Sequence, residues 1–431
     1  MMKVLKFGGT SVGSASRMRS VAALISDGEP KIIVLSAMSG TTNQLLQMSE
    51  YIRLGNASGA TDMLKELEAK YRRECEQLGI KEEVLQPLFV SLRRLCLAPY
   101  ETQVEKDIVS YGELLSTTMM VNFMKQSGQD AVLMPALDYM RLNADGEPDM
   151  RETERLLREQ LIRFETHQYI FTQGFICRNE SGKVDNLRRG GSDYTASIIG
   201  ALLEVEEIQI WTDIDGMHNN DPRFVQGTQP VRHLSFDEAA ELAYFGAKIL
   251  HPTCILPAKM HNVPVRLLNT LDPKAPGTYI DNHVLPGTIK AVAAKDGIYA
   301  VRVHSDRMLM AYGFLSRLFR VFEQYRTSID LITTSEVAVS MSVDNDNHLD
   351  AIIAELRTFG TVSVEKNMSI ISVVGDFQSG NNGLESLVLS ALKEIPIRMI
   401  SYGGSDHNIS IMVSSEHKIS VLQALSRYLF T

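Results

Sequence analysis

Short apolar runs separated by helix-compatible stretches set the rhythm of the first two thirds of the chain. Val4-Leu5 leads into Lys6-Phe7-Gly8-Gly9-Thr10-Ser11-Val12-Gly13, and a helical segment opens at Ser14. Residues 31–36 form an apolar run that ends in the polar loop 37–42, and residues 130–135, 169–172 and 207–213 repeat the pattern. Runs without polar alternation predict strands buried on both faces, hence a parallel sheet covered by helices. Residues 61–126 read as mostly helical and charged, with no strong strand signal.

A Pro/Gly-rich passage, residues 272–287, breaks this rhythm and marks the main domain boundary. Beyond it the elements shorten into a strand at 298–304, a helix at 313–325, strands at 328–334 and 338–343, a helix at 349–357 and a strand at 362–365. This β-α-β-β-α-β order is ferredoxin-like. The order starts again at 369–374 and continues through 384–393, 398–402, 409–413 and 419–429, one strand short. Residues 289–294, apolar and otherwise unassigned, are the natural donor of that strand. The expected domains are therefore 1–285, 296–366 and 367–431, the last completed by 289–294.

A length of 431 residues suits several cores rather than one. The net charge of −9 argues against general affinity for nucleic acid or anionic membranes. No signal-peptide pattern and no long apolar run is present, so a cytoplasmic protein without a membrane span is expected. Cys75, Cys96, Cys177 and Cys254 show no metal or disulfide spacing, which fits a reducing compartment.

Ligands of parallel sheets bind at the carboxyl ends of the strands, so five polar segments should converge there. They are residues 6–10, 36–43, 111–116, 188–193 and 211–223. The lysine and paired glycines at 6–9 suit an anionic ligand, because glycine lets backbone N–H groups approach phosphate oxygens ahead of a helix N-terminus. No Walker loop or Gly-x-Gly-x-x-Gly occurs. Each residue also has a plain reading. Glu113 suits a solvated helix charge, Ser192 or Asp193 an N-cap, and Arg188-Arg189 a solvated pair. Asp213 and Asp215 suit a turn, residues 245–248 a helix end, and His251 a structural role.

The motifs are more specific in combination. Lys-Phe-Gly-Gly-Thr-Ser-Val at 6–12, Gly-Glu-Leu-Leu-Ser at 112–116 and Arg-Gly-Gly-Ser-Asp-Tyr-Thr-Ala at 189–196 are followed by Trp-Thr-Asp-Ile-Asp-Gly at 211–216. Asp-Pro-Arg at 221–223 and Phe-Gly-Ala-Lys-Ile-Leu-His-Pro at 245–252 complete the series. In this order they resemble the motifs of aspartate kinases. Gly313-Phe-Leu and Asp330-Leu-Ile-Thr-Thr-Ser-Glu336 resemble the first ACT domain of those enzymes. The resemblance spans nearly the whole chain and implies a monofunctional, lysine-sensitive-like type without a homoserine dehydrogenase part. It also implies the amino acid kinase (carbamate kinase-like) fold, α/β with a central mainly parallel sheet, followed by two ferredoxin-like ACT domains.

The implied reaction converts ATP, with Mg2+, and L-aspartate to ADP and 4-phospho-L-aspartate, the first step toward lysine, threonine and methionine. Carried over by resemblance, Lys6 and Asp193 are catalytic, and the nucleotide meets Lys6, Gly8, Gly9, Thr212, Asp213, His218, Arg223 and Lys248. Many relatives have tyrosine at the His218 position. Aspartate meets Thr42, Glu113, Arg189 and Ser192. An amino-acid effector, lysine in lysine-sensitive relatives, meets Met308, Gly313, Phe314, Leu315, Ser328, Ile329, Asp330, Ser335 and Glu336. Met310 and Ala311 depart from the polar His and Ser of some such relatives. Pairing of ACT domains implies a homodimer or larger homo-oligomer. A kinase of the same fold acting on glutamate or N-acetylglutamate, or an inactive amino-acid sensor, are the competing readings.

Overall fold

The computed structural model describes residues 2–188, 190–246, 251–308, 312–378 and 383–430 of the chain. Two compact units result, residues 1–217 with 249–282 and residues 218–248 with 283–431. The expected boundary near 285 therefore falls close to the end of the first unit. Residues 218–248, expected in the first domain, cluster instead with the second. Their hydrogen bonds explain this: Val292 N–H donates to the Asn219 carbonyl at 2.9 Å, and the Asn220 amide to the Leu422 carbonyl at 3.0 Å. Glu241 accepts from the Ser405 hydroxyl at 2.8 Å and from Asn408.

In the first unit the strands lie in the order Ala131–Leu133, Tyr169–Gln173, Lys31–Leu35, Lys3–Phe7, Glu207–Thr212, Val265–Asn269 and Thr278–Asp281. All neighbours are parallel except the last pair. The Lys31–Leu35 and Tyr169–Gln173 strands are buried along their whole length, their apolar centres flanked by the buried polar Lys31, Thr172 and Gln173. From Lys3–Phe7 the chain builds the sheet to one side, then returns to build the other from Glu207–Thr212. The reversal lies between these two neighbours, and a ligand crevice belongs at their carboxyl ends. Helices Ala57–Leu78, Gln86–Cys96 and Thr102–Gln126 fill the region read as helical. Their apolar faces share one core with the sheet, including Leu64, Tyr71, Phe89, Leu115 and Phe171.

The second unit contains one six-stranded sheet rather than two separate ones. Its centre is a pair of long antiparallel strands, Ile289–His304 and Thr361–Gly375. The stretches expected as separate strands, 289–294 with 298–304 and 362–365 with 369–374, are thus continuous. Ala291–Lys295 face Ile370–Val374, and Ala300–His304 face Thr361–Glu365. Helices Phe314–Gln324 and Leu349–Leu356 cover one half, and Leu384–Ala391 and Lys418–Leu429 the other, each pair over its own apolar cluster. The strand expected at 328–334 is confined to Ile332–Thr334.

The two halves join at a bulge. Register shifts between Lys295 and Ile298, where Gly297 has φ +76°, and on the partner strand Asn367 has φ +56°. Glycine and asparagine adopt this left-handed backbone most readily, so pairing bends there without breaking. Nothing lies within 4 Å of a Cβ added at Gly297. Gly297→Ala should therefore cost only the backbone penalty, about 1–2 kcal/mol, read as a lower urea midpoint. An unchanged midpoint would mean that the bulge is not held in this conformation.

Candidate functional site

The glycine-containing loop after Lys3–Phe7 and the loop after Lys31–Leu35 are joined directly. Ser39 N–H donates to the Gly9 carbonyl at 3.1 Å, and Ser36 N–H to the Phe7 carbonyl at 3.2 Å. Helix Thr102–Gln126 crosses beneath the second loop at Gly112, where an added Cβ would stand 2.7 Å from Ala37 Cβ. Any larger residue would push this helix away and withdraw its neighbour Glu113. Helix Gly191–Leu202 opens after Gly190 in the left-handed conformation and carries Ser192 and Asp193 in its first turn.

These four elements enclose a cavity of about 420 Å³ lined by Lys6, Gly9, Thr42, Glu113, Ser192 and Asp193. Arg188, Asn43 and Phe175 also line it. Lys6 Nζ stands 2.6 Å from Asp193 Oδ1, and both side chains are nearly buried. An ammonium fixed by a carboxylate has a set direction, and its remaining N–H bonds can address an anion. Gly8 lies beside it, with an ideal Cβ 3.5 Å from Lys6 Nζ, but its own N–H leans toward the Trp211 carbonyl at 3.4 Å.

Glu113 is 4 % exposed. Its Oε1 accepts from Ala37 N–H at 3.1 Å, while Oε2 is buried with no hydrogen-bond partner among the described residues. Burial pushes this carboxyl up to about 8, against the backbone hydrogen bonds that favour its charge. A buried carboxyl of this kind ionises when a cation reaches it. The plain reading as a solvated helix charge is thereby corrected.

Other expected residues lie elsewhere. Thr212 and Asp213 follow the Glu207–Thr212 strand, where the Thr212 hydroxyl donates to Asp213 Oδ1 at 3.2 Å. His218 and Arg223 belong to the second unit; His218 Nδ1 meets the Thr228 hydroxyl at 3.0 Å, and Arg223 pairs with Asp221 at 2.6 Å. Arg189 and Lys248 lie outside the described residues, as do Met310 and Ala311. Phe175 was not anticipated. It has φ +66° and its N–H donates to the Thr195 hydroxyl, so the sequence carries no local signal for its place in the wall.

Among the expected effector residues, Gly313 has φ +74° and opens helix Phe314–Gln324. Asp330, expected to meet the effector, has a fully buried side chain whose Oδ1 pairs with Lys295 at 3.0 Å and accepts from the Tyr244 hydroxyl, while Oδ2 has no hydrogen-bond partner among the described residues. Lys295 also reaches Asp344 at 3.0 Å. Burial, followed by the Asp330 hydrogen bond, pushes the Tyr244 phenol well above its ordinary value. Among the described residues no group of three or more His, Cys, Asp or Glu has a metal-binding arrangement, and no helix is long and apolar enough to cross a membrane.

The Glu113 shift has a consequence for stability. Below about pH 4.5 the carboxyl is protonated in folded and unfolded chains alike. As pH rises toward 8 the unfolded chain gives up the proton and the folded chain keeps it, so stability is lost across that window. Glu113→Gln should remove this loss, and its thermal midpoint should gain on the wild type as pH rises through the window. A midpoint difference that does not vary with pH would contradict the assignment.

Residues 1–269 match the amino acid kinase family, and residues 371–429 match the ACT domain. Lysine-sensitive aspartokinase 3 of Escherichia coli is 32% identical over 99% of this chain and 99% of its own length. The crystal structure of E. coli aspartokinase III with aspartate and ADP (R-state) superposes with a TM-score of 0.87 and 32% identity, covering 100% of both chains. Its complex with lysine and aspartate (T-state) gives a TM-score of 0.81 over the same coverage. Motifs, fold and full-length similarity agree, and the chain belongs to the aspartokinases of the amino acid kinase family.

Proposed function

We propose that this chain transfers the γ-phosphoryl group of ATP to the side-chain carboxylate of L-aspartate, forming 4-phospho-L-aspartate and ADP. The observation that carries the reading is the buried, half-partnered carboxyl of Glu113 in the same cavity as the Lys6–Asp193 pair. One end of that cavity suits an ammonium and the other an anionic group. A free amino acid with a second carboxylate matches both, whereas N-acetylglutamate lacks the ammonium.

The acceptor carboxylate is already ionised at neutral pH, so no general base is required. Its oxygen forms a bond to the γ-phosphorus while the bond to the β–γ bridging oxygen breaks, and ADP leaves with that electron pair. The barrier is electrostatic, since an anion approaches a polyanion. Lys6, aimed by Asp193, offsets charge on the transferred group, and Gly9 lets the chain pass close to it. A magnesium ion bound with the nucleotide would neutralise phosphate charge, and Asp193, here paired with Lys6, is a cavity carboxylate that could help hold it. Thr212 and Asp213, at the carboxyl end of the Glu207–Thr212 strand, contact the nucleotide in this reading. Arg189 takes the α-carboxylate in two-pronged fashion, with Thr42 and Ser192 adding hydrogen bonds.

The division of labour is a catalytic part over residues 1–285 and regulatory modules over 296–366 and 367–431, the second completed by 289–294. Lysine is the proposed effector and a cytoplasmic homo-oligomer the proposed form. Lys295 and Tyr244 both meet Asp330 at Oδ1, so its buried Oδ2, without a partner among the described residues, is the oxygen offered to an effector ammonium in this reading.

Trapping of acyl phosphate with hydroxylamine tests the activity. Hydroxamate should form with L-aspartate and MgATP and not with glutamate or N-acetylglutamate. Product with another acid would redirect the reading, and none with any acid would favour a sensor. Lys6→Met should slow turnover about 100- to 1000-fold while leaving the folded state intact, and near-normal turnover would remove Lys6 from the mechanism. Arg189→Ala should raise the KM for aspartate far more than that for ATP; the reverse would put the residue on the other ligand. Lysine should inhibit the wild type and act much more weakly on Asp330→Ala. Equal inhibition of both, or none of the wild type, would overturn the effector site.

A further inference from the structure

Helix Ala57–Leu78 stands one step behind the cavity and contributes no residue to its wall. One of its faces nevertheless holds both ligand loops. Lys70 Nζ donates to the Ser39 carbonyl at 2.9 Å and to the Thr41 hydroxyl at 3.2 Å, and the next residue, Tyr71, meets the same hydroxyl at 3.3 Å. One turn later Glu74 accepts from Ala15 N–H at 2.6 Å, at the start of the helix that follows the glycine loop. Two turns from Lys70, the Gln77 carbonyl accepts from the Arg19 guanidinium.

Packing alone does not call for these residues. A half-buried lysine loses hydration, and an apolar side chain would fill the position at lower cost. Its location also opposes helix stability. Thr41 is the first residue of helix Thr41–Arg53, whose N-terminus carries partial positive charge and has no side-chain cap. A cation set there disfavours that helix but favours an anion at the adjoining loop, where Ser39, Gly40, Thr42 and Asn43 line the cavity. Burial lowers the proton affinity of Lys70, and the neighbouring Glu74 charge works against that loss. Glu74, by contrast, sits where a helix N-terminus welcomes an acid.

We propose that Lys70 and Glu74 are positioning residues for the phosphoryl transfer, Lys70 fixing the 36–43 loop against aspartate and Glu74 fixing the 8–15 segment against the nucleotide. This rests on the activity proposed above and adds a division between two residues four apart on one helix. Neither touches substrate.

The test is steady-state kinetics on the full chain with each substrate varied in turn, together with thermal midpoints. Lys70→Met should raise the KM for L-aspartate about tenfold with kcat and the KM for MgATP nearly unchanged, and Lys70→Arg should restore most of it. Glu74→Ala should raise the KM for MgATP about five- to tenfold and leave that for aspartate nearly unchanged. Lys70→Gln, which keeps a donor, replaces the methionine variant if that fails to fold and must show the same selectivity. Unchanged KM values, equal shifts in both, or a fall in kcat that only follows the thermal midpoint would overturn the proposal. A wild type unable to phosphorylate aspartate would instead overturn the activity itself.

Discussion

The cavity depends on a carboxyl group, Glu113, that is buried with no cation beside it among the described residues. Lys6 is already committed to Asp193, so it does not serve Glu113. Glu113 has one backbone N–H and no second partner among the described residues. Burying such a group costs free energy unless it stays neutral, and it stays neutral only until an ammonium arrives. In the reading proposed above, substrate recognition and proton balance are therefore one event. The close approach at Gly112 that brings the carboxyl against Ala37 N–H is the packing condition for it.

Around that group the fold supplies aim rather than reactivity. The reversal of strand order between Lys3–Phe7 and Glu207–Thr212 opens the crevice, and the bonded loops on either side of Lys6 keep its ammonium in place. Phosphoryl transfer to a carboxylate needs little more than charge held in the right place. The second unit has a different logic. Two long strands run through both halves of its sheet, so a displacement at one apolar cluster has a continuous backbone path to the other. The Lys295–Asp330–Tyr244 contacts tie the first half to the helix at Phe236–Tyr244.

Much of this was legible in the chain. Lys6, Ser192 and Asp193 sit in motifs whose strand-end and helix-start positions direct them toward one crevice, and Glu113 reaches it from the middle of helix Thr102–Gln126. Strands of the parallel sheet at 3–7, 31–35, 131–133, 169–173 and 207–212 were readable as near-continuous apolar runs, whereas Val265–Asn269, interrupted by Arg266, was not. The long strands were not, since Asp296-Gly297 and Asn367 look like turns, and only pairing across the sheet turns them into bulges. The ion pair of Asp330 is not legible in its motif because the cation comes from Lys295, 35 residues away. Lys70 escaped notice for a similar reason: a lysine in a charged helix has no local mark of burial, and its partners lie 29 and 31 residues earlier.

In the proposed reaction, aspartate is recognised by a carboxyl, that of Glu113, which must release its proton. Calorimetric titration of the wild type with L-aspartate at pH 7, in buffers of different ionisation enthalpy, counts protons directly. With the Glu113 carboxyl pushed up to about 8, close to one proton should be released per aspartate bound, and Glu113→Gln should release none. Binding by the wild type without proton release would contradict the account.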